Sequence, residues 1–248
     1  MKAENTPDHP NSPGGDVFPT AQPLIYGTAI GSVPVVRSLG DGASFSGNER
    51  DSVYLSKDGK DFVNISGITG LDDPGDGRSF AIFDYDRDGW PDVVVTSVTA
   101  PAIQIYRNRM GDDTFAAVRK NQMIAFNLVG GNHSPLPSKE WSNRNGYGAR
   151  VTVDLGDSKI VRALHAGEGY GAQNSSTLLI GIGDRSVVHA VTVRWPSGKV
   201  QELGKIAANR LVTIYENRKQ SPIPSEMSVR PYKIKAIRPP KNRDPILR

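Results

Sequence analysis

Apolar and polar residues alternate with a period of two through most of this chain, in short runs broken by glycine, proline and acidic turns. SVYL (Ser52–Leu55) ends at the turn KDGKD, and DFVNI then runs to Ile65. SFAIF (Ser79–Phe83) leads into an acidic loop and DVVVTS (Asp92–Ser97) leaves it, before AIQIYRN and, from Met123, MIAFNLVG. Beyond Gly146 the same alternation continues through ARVTVDL, KIVRALHA, TLLIGI, HAVTVRW, KVQEL and RLVTIYE. No segment sustains a helical period with caps at both ends. The 26 glycines and 18 prolines supply turns between short strands, so the pattern predicts an all-β chain.

The alternation also hints at a repeat. VYLSKDGKDFVNI, from Val53, lies on IYRNRMGDDTFAAV, from Ile105, with Tyr54 and Tyr106 52 residues apart. That offset suits propeller blades of roughly 40–50 residues with a loop insertion. Four segments are expected: a Pro/Gly/Ser-rich lead-in over residues 1–45, a β repeat region over 46–122, a second β domain over 123–217, and a basic, disordered tail over 218–248.

Charge sharpens this division. The net charge is +4, yet residues 218–248 carry nine Lys/Arg against only Glu226 and Asp244, which leaves the preceding chain negative. A nucleic-acid partner is therefore not expected. No apolar run is long enough to span a membrane, and the first residues lack the apolar core of a secretory signal. Cysteine is absent, which excludes disulfides, thiolate metal sites and cysteine nucleophiles.

Catalytic groupings are hard to assemble from what remains. GEGYGA (Gly167–Ala172) has dinucleotide-like glycine spacing, but no helix pattern follows to meet a pyrophosphate. WPSG (Trp195–Gly198) reads as a turn rather than a nucleophile elbow. His133, His165 and His189 lack metal-ligand spacing, and nothing in the sequence brings Glu168 and Asp154 together as acid and base.

The strongest chemical signal is DYDRDGWPD, Asp84 to Asp92. Carboxylates about 4 Å apart repel by ~4 kcal/mol at a protein surface, so such a cluster either splays into solvent or holds a positive group. Asp84, Asp86 and Asp88 alternate, Gly89 permits a sharp turn, and Asp92 closes the loop. Calcium takes six to eight oxygen ligands, which this arrangement and the Trp90 carbonyl are able to supply in part. Position twelve counted from Asp84 is Val95 rather than Glu, and the flanks read as strands, so the site is strand–loop–strand and not an EF-hand. The nearby LDDPGDG (Leu71–Gly77) lacks the alternating spacing and reads as a turn.

SFAIFDYDRDGWPDVVVTS resembles an FG-GAP/VCBS-type repeat, whose acidic loop binds calcium in integrin-like β-propellers. The resemblance implies calcium ligands at Asp84, Asp86, Asp88, Trp90 through its carbonyl, and Asp92. Downstream, NRNGYGARVTV (Asn143–Val153), GEGYGAQNS (Gly167–Ser175), LLIGIGD (Leu178–Asp184) and VRWPSGKVQEL (Val193–Leu203) resemble the ASPIC/UnbV domain of CRTAC-like, cartilage-acidic-protein-like proteins. The chain departs from that family at Leu179-Ile180, where His-Phe is usual.

The combined expectation is a partial propeller-type region of one to two blades joined to a β-sandwich or barrel-like UnbV domain. A closed propeller needs roughly four to eight blades. The open edge of a partial one is an aggregation hazard unless the UnbV domain, the N-terminal segment or a second protomer covers it. The implied function is non-catalytic, calcium-dependent recognition or adhesion in the extracellular space or cell envelope, with a protein or glycan as ligand. The rival expectation is an enzyme, or its accessory subunit, acting on polysaccharide or another envelope polymer.

Overall fold

The computed structural model describes residues 50–57, 59–111 and 121–232. The chain is all-β, and none of its sheets closes into a barrel. It divides into two compact units, residues 1–80 with 94–106, and residues 81–93 with 107–248. The expected lead-in, the second repeat copy's Phe115 and the tail beyond residue 232 lie outside the described residues.

In the first unit, β1 (Tyr54–Lys57) and β2 (Asp61–Asn64) form a hairpin with Leu55 opposite Val63. Every position of this two-stranded ribbon is exposed. A one-turn helix, α1 (Ser66–Thr69), follows and ends at Gly70, whose φ of 75° gives the left-handed conformation open to glycine. The alternation pattern did not signal α1, because a single turn is too short to display a helical period. Strands β3 (Gly77–Phe83), β4 (Asp92–Ser97) and β5 (Ile103–Tyr106) make a three-stranded sheet in that order. The division between units passes through β3 and β4, so the acidic loop joining them belongs to the second unit.

The second unit is built on two four-stranded sheets. One has the order β12-β11-β7-β8 and is antiparallel throughout, from β7 (Arg150–Asp154), β8 (Lys159–Ala163), β11 (Ala190–Arg194) and β12 (Val200–Leu203). The other has the order β15-β14-β6-β9, from β6 (Gln122–Val129), β9 (Leu178–Gly183), β14 (Arg210–Tyr215) and β15 (Met227–Pro231). Its β14–β6 pair is parallel, which requires the chain to cross over through the first sheet between them. A small bridge joins β10 (Val187–Val188) to β13 (Ile206–Ala207).

Period-two alternation explains the core. Val151 and Val153 of β7 and Val191 and Val193 of β11 point to one side and are fully buried. They meet Ile124, Phe126, Ile180, Val212 and Ile214 from the other sheet in one cluster. Each such side chain contributes about 1.5–3 kcal/mol by leaving water. Strand β6 is buried on both faces: its alternate residues Met123 and Ala125 join Leu211, Leu179 and Tyr232 in a second, smaller cluster.

Strand β15 corrects the expected tail. Residues 218–232 are not a disordered extension: they form a 3₁₀ turn at Arg218–Gln220 and then a strand pairing antiparallel with β14, Val229 opposite Val212. Pro222, Pro224 and the flanking basic residues hid this strand. What selects it is the edge of β14, a tertiary partner that alternation in five residues does not announce.

Candidate metal centre

The acidic loop wraps its own carboxylates around its backbone. Asp84 accepts hydrogen bonds from the amides of Asp88 (3.1 Å) and Gly89 (2.8 Å), Asp86 a second one from Asp88 (3.2 Å), and Asp88 one from Trp90 (2.8 Å). Left-handed backbone at Arg87 (φ 56°) and Gly89 (φ 96°) makes this winding possible. Carboxylate oxygens of Asp84, Asp86 and Asp88 thereby lie within 4.8 Å of one another.

Asp92 plays a different part. It is fully buried, and its two oxygens accept from the amides of Tyr85 (3.0 Å) and Asn108 (2.7 Å). It stands outside the cluster of three and ties the two ends of the loop to the segment after β5. Trp90 sits beside the cluster, oriented by the bond from its amide to Asp88.

Two residues that the sequence did not single out complete the surroundings. Arg107 bridges the cluster, Nε to Asp86 at 2.8 Å and Nη2 to Asp88 at 3.1 Å. The Tyr232 phenol faces Asp84, and the Arg87 guanidinium lies over its ring at 5.2 Å. Burial and the Asp84 charge push the Tyr232 phenol well above its usual range, so it remains a donor. Arg107 falls in the repeat copy that begins at Ile105 and Tyr232 in no motif, and only the fold brings positions 107 and 232 to a loop at 84–92.

The donor set fits a hard cation. All three clustered ligands are carboxylate oxygens, and no thiol is present. Burial raises the Asp84 and Asp88 carboxyls above their usual range. Hydrogen bonds from the Gly89 amide at Asp84 and from the Trp90 amide at Asp88 pull the other way, while neighbouring carboxylates add to the rise at both. One guanidinium does not fully offset this crowding, and a divalent ion would. No other group of three or more metal-ligating side chains occurs among the described residues. In the Leu71–Gly77 turn, Asp72 pairs with Arg50, Asp76 with Arg78, and Asp73 accepts from the Gly75 amide.

The remaining sequence motifs each find a structural place in the second unit. Asn143 brackets Tyr147, its side chain donating to the carbonyl at 2.7 Å and accepting from the amide at 2.9 Å. Gly146 (φ 67°) passes so close to Leu128 that a Cβ there would lie 2.9 Å from the leucine Cβ. The WPSG turn closes through Gly198 N to Trp195 O at 2.9 Å, between β11 and β12. Glu216, 6% exposed, accepts from the amides of Gly131 (2.7 Å) and Ser142 (2.8 Å) and from the Ser142 and Ser197 hydroxyls.

Residues 139–221 match the family model described as ASPIC and UnbV. The four motifs that resemble ASPIC/UnbV all fall inside this stretch, and Glu216 holds three of its segments together from within. A comparison with curated proteins gives no match. In the ASPIC/UnbV stretch GEGYGA makes a loop, with left-handed glycines at 167, 169 and 171, and leads to β9 rather than to a helix. Asp154 and Glu168 have separate partners: Asp154 takes the Gly156 amide and Lys159, whereas Glu168 takes the Asn174 amide. His133 bonds the Gly130 carbonyl at 3.0 Å.

Proposed function

We propose that this is a calcium-binding, non-catalytic recognition protein of the extracellular space or cell envelope, in which an FG-GAP-type loop braces the face presented by an ASPIC/UnbV segment. The observation that carries the reading is the convergence of Asp84, Asp86 and Asp88 to within 4.8 Å. Those three would hold the ion, with the Trp90 carbonyl as a further ligand that the FG-GAP resemblance implies; Asp92, which the resemblance also implies, stands outside the cluster on the Tyr85 and Asn108 amides. Bound calcium would neutralise the crowded carboxylates and fix the loop. Weak affinity, ~10⁻⁴–10⁻³ M, is enough where calcium is abundant outside cells.

The loop belongs to the same compact unit as the ASPIC/UnbV stretch and packs there through Tyr232. Fixing it therefore fixes part of that surface. Ser175 N donates to the Ile82 carbonyl at 3.0 Å, and Ile82 N donates to Asn174 at 2.7 Å. These bonds cover the backbone at the end of β3, which supports a cover from the UnbV segment for this part of the blade edge. Isothermal titration with calcium tests the proposal. Saturable uptake by the wild type that Asp86→Asn abolishes supports it, and equal heats from the two proteins reject it.

A further inference from the structure

Within the second unit a cavity of about 620 Å³ opens beside the acidic loop, on the side of Asp84 and Tyr232. That volume lies in the range of small-ligand sites. Its wall is apolar where Leu164 and Leu178 line it. Phe83 and Tyr85 add two rings with centroids 6.3 Å apart and planes tilted by 50°. Tyr85 is half exposed.

The polar groups of the cavity are unequally committed. Both carboxylates that line it are spent: Asp84 on the Asp88 and Gly89 amides, Glu168 on the Asn174 amide. The donors at its rim are not. Arg162 gives one bond to its own neighbour's carbonyl, Val161 O at 2.9 Å, and keeps the rest of its five-donor fork, while His165 is exposed at the same rim. Arg87 adds a second positive group above the Tyr232 ring. The cavity thus offers donors and positive charge beside aromatic faces.

We propose that this cavity binds an acidic sugar, a uronate unit of a glycan, with its carboxylate on Arg162 and His165 and its ring against Tyr85. An extended peptide is disfavoured because both backbone groups of Ile82, a β3 residue that lines the cavity, are already bonded to Ser175 and Asn174. A sugar needs no strand edge, and its hydroxyls and carboxylate match the surplus of donors. This inference rests on the recognition reading above and names its ligand class; it does not require the metal.

The test is calorimetric titration of the full chain with a hyaluronan tetrasaccharide, run in calcium and again in EGTA. Chitotetraose serves as a neutral sugar of equal length and hexaglutamate as an acidic peptide. Saturable binding of the uronate sugar alone, weakened at least tenfold in Arg162→Gln/His165→Gln with an unchanged melting temperature, is the expected result. Equal binding of chitotetraose or hexaglutamate, no uronate binding, or no effect of the double variant would overturn it. Calcium uptake by the same samples is scored separately. Loss of calcium binding with uronate binding intact strikes the metal proposal alone, and the reverse strikes only this one.

Discussion

Arg107 Nε donates to Asp86 Oδ2 at 2.8 Å, so the acidic loop already holds a positive group supplied by its own chain. The guanidinium therefore competes with a metal for Asp86 and, through Nη2, for Asp88. Replacing it with a neutral side chain removes both the competitor and its repulsion of the ion. Arg107→Gln is expected to tighten calcium binding by about tenfold, ~1.4 kcal/mol. That is below the unscreened Coulomb figure because the side chain is 36% exposed. Calorimetry reads this directly; unchanged or weaker affinity contradicts the competition.

Gly89 has a φ of 96° and donates its amide to Asp84. A side chain there is forced into sparsely populated backbone at a cost of about 1–3 kcal/mol. Gly89→Ala should lower the melting temperature and weaken calcium binding together. A variant as stable and as metal-responsive as wild type would mean that the turn is not required.

The strands were legible because alternation is a local property. Val151, Val153, Val191 and Val193 mark a buried face directly in the sequence, and the acidic loop showed itself by spacing alone. Three kinds of feature stayed hidden. β15 forms because β14 offers an edge, so its five residues carry little signal of their own. Arg107 and Tyr232 reach the loop from 15 and 140 residues beyond Asp92, and no local pattern links them to it. The separate role of Asp92 was hidden as well, since spacing gives the same weight to a carboxylate facing the cluster and to one buried against Tyr85 and Asn108 amides.

Tyr232 joins the loop to the second cluster of β6, β9 and β14 through its buried ring, which the Arg87 guanidinium covers and whose hydroxyl faces Asp84. Tyr232→Phe keeps the ring and removes the hydroxyl that faces Asp84, an expected cost of about 1 kcal/mol in urea unfolding. Tyr232→Ala also removes the packing and should cost about 3 kcal/mol or more. If Tyr232→Phe unfolds at the wild-type urea concentration, the hydroxyl does not hold the loop.

Glu216 gathers two amides and two hydroxyls on one buried carboxylate. In Glu216→Gln the carbonyl oxygen keeps the Gly131 and Ser142 amides while the N–H₂ turns the Ser142 and Ser197 hydroxyls into acceptors, so both hydroxyl protons lose their charged buried acceptor. A loss of about 3 kcal/mol in urea unfolding is expected, with the calcium-dependent shift in stability retained. A calcium shift lost along with stability would contradict the independence of the two sites.

The central claim is that Asp84, Asp86 and Asp88 bind calcium in the folded chain. Thermal unfolding of wild type and Asp86→Asn, each in saturating calcium and in EGTA, tests it most directly. At one hundred times the dissociation constant the account predicts ~2.7 kcal/mol of added stability for wild type and little or none for the variant. Wild-type curves that superimpose in calcium and EGTA would contradict it.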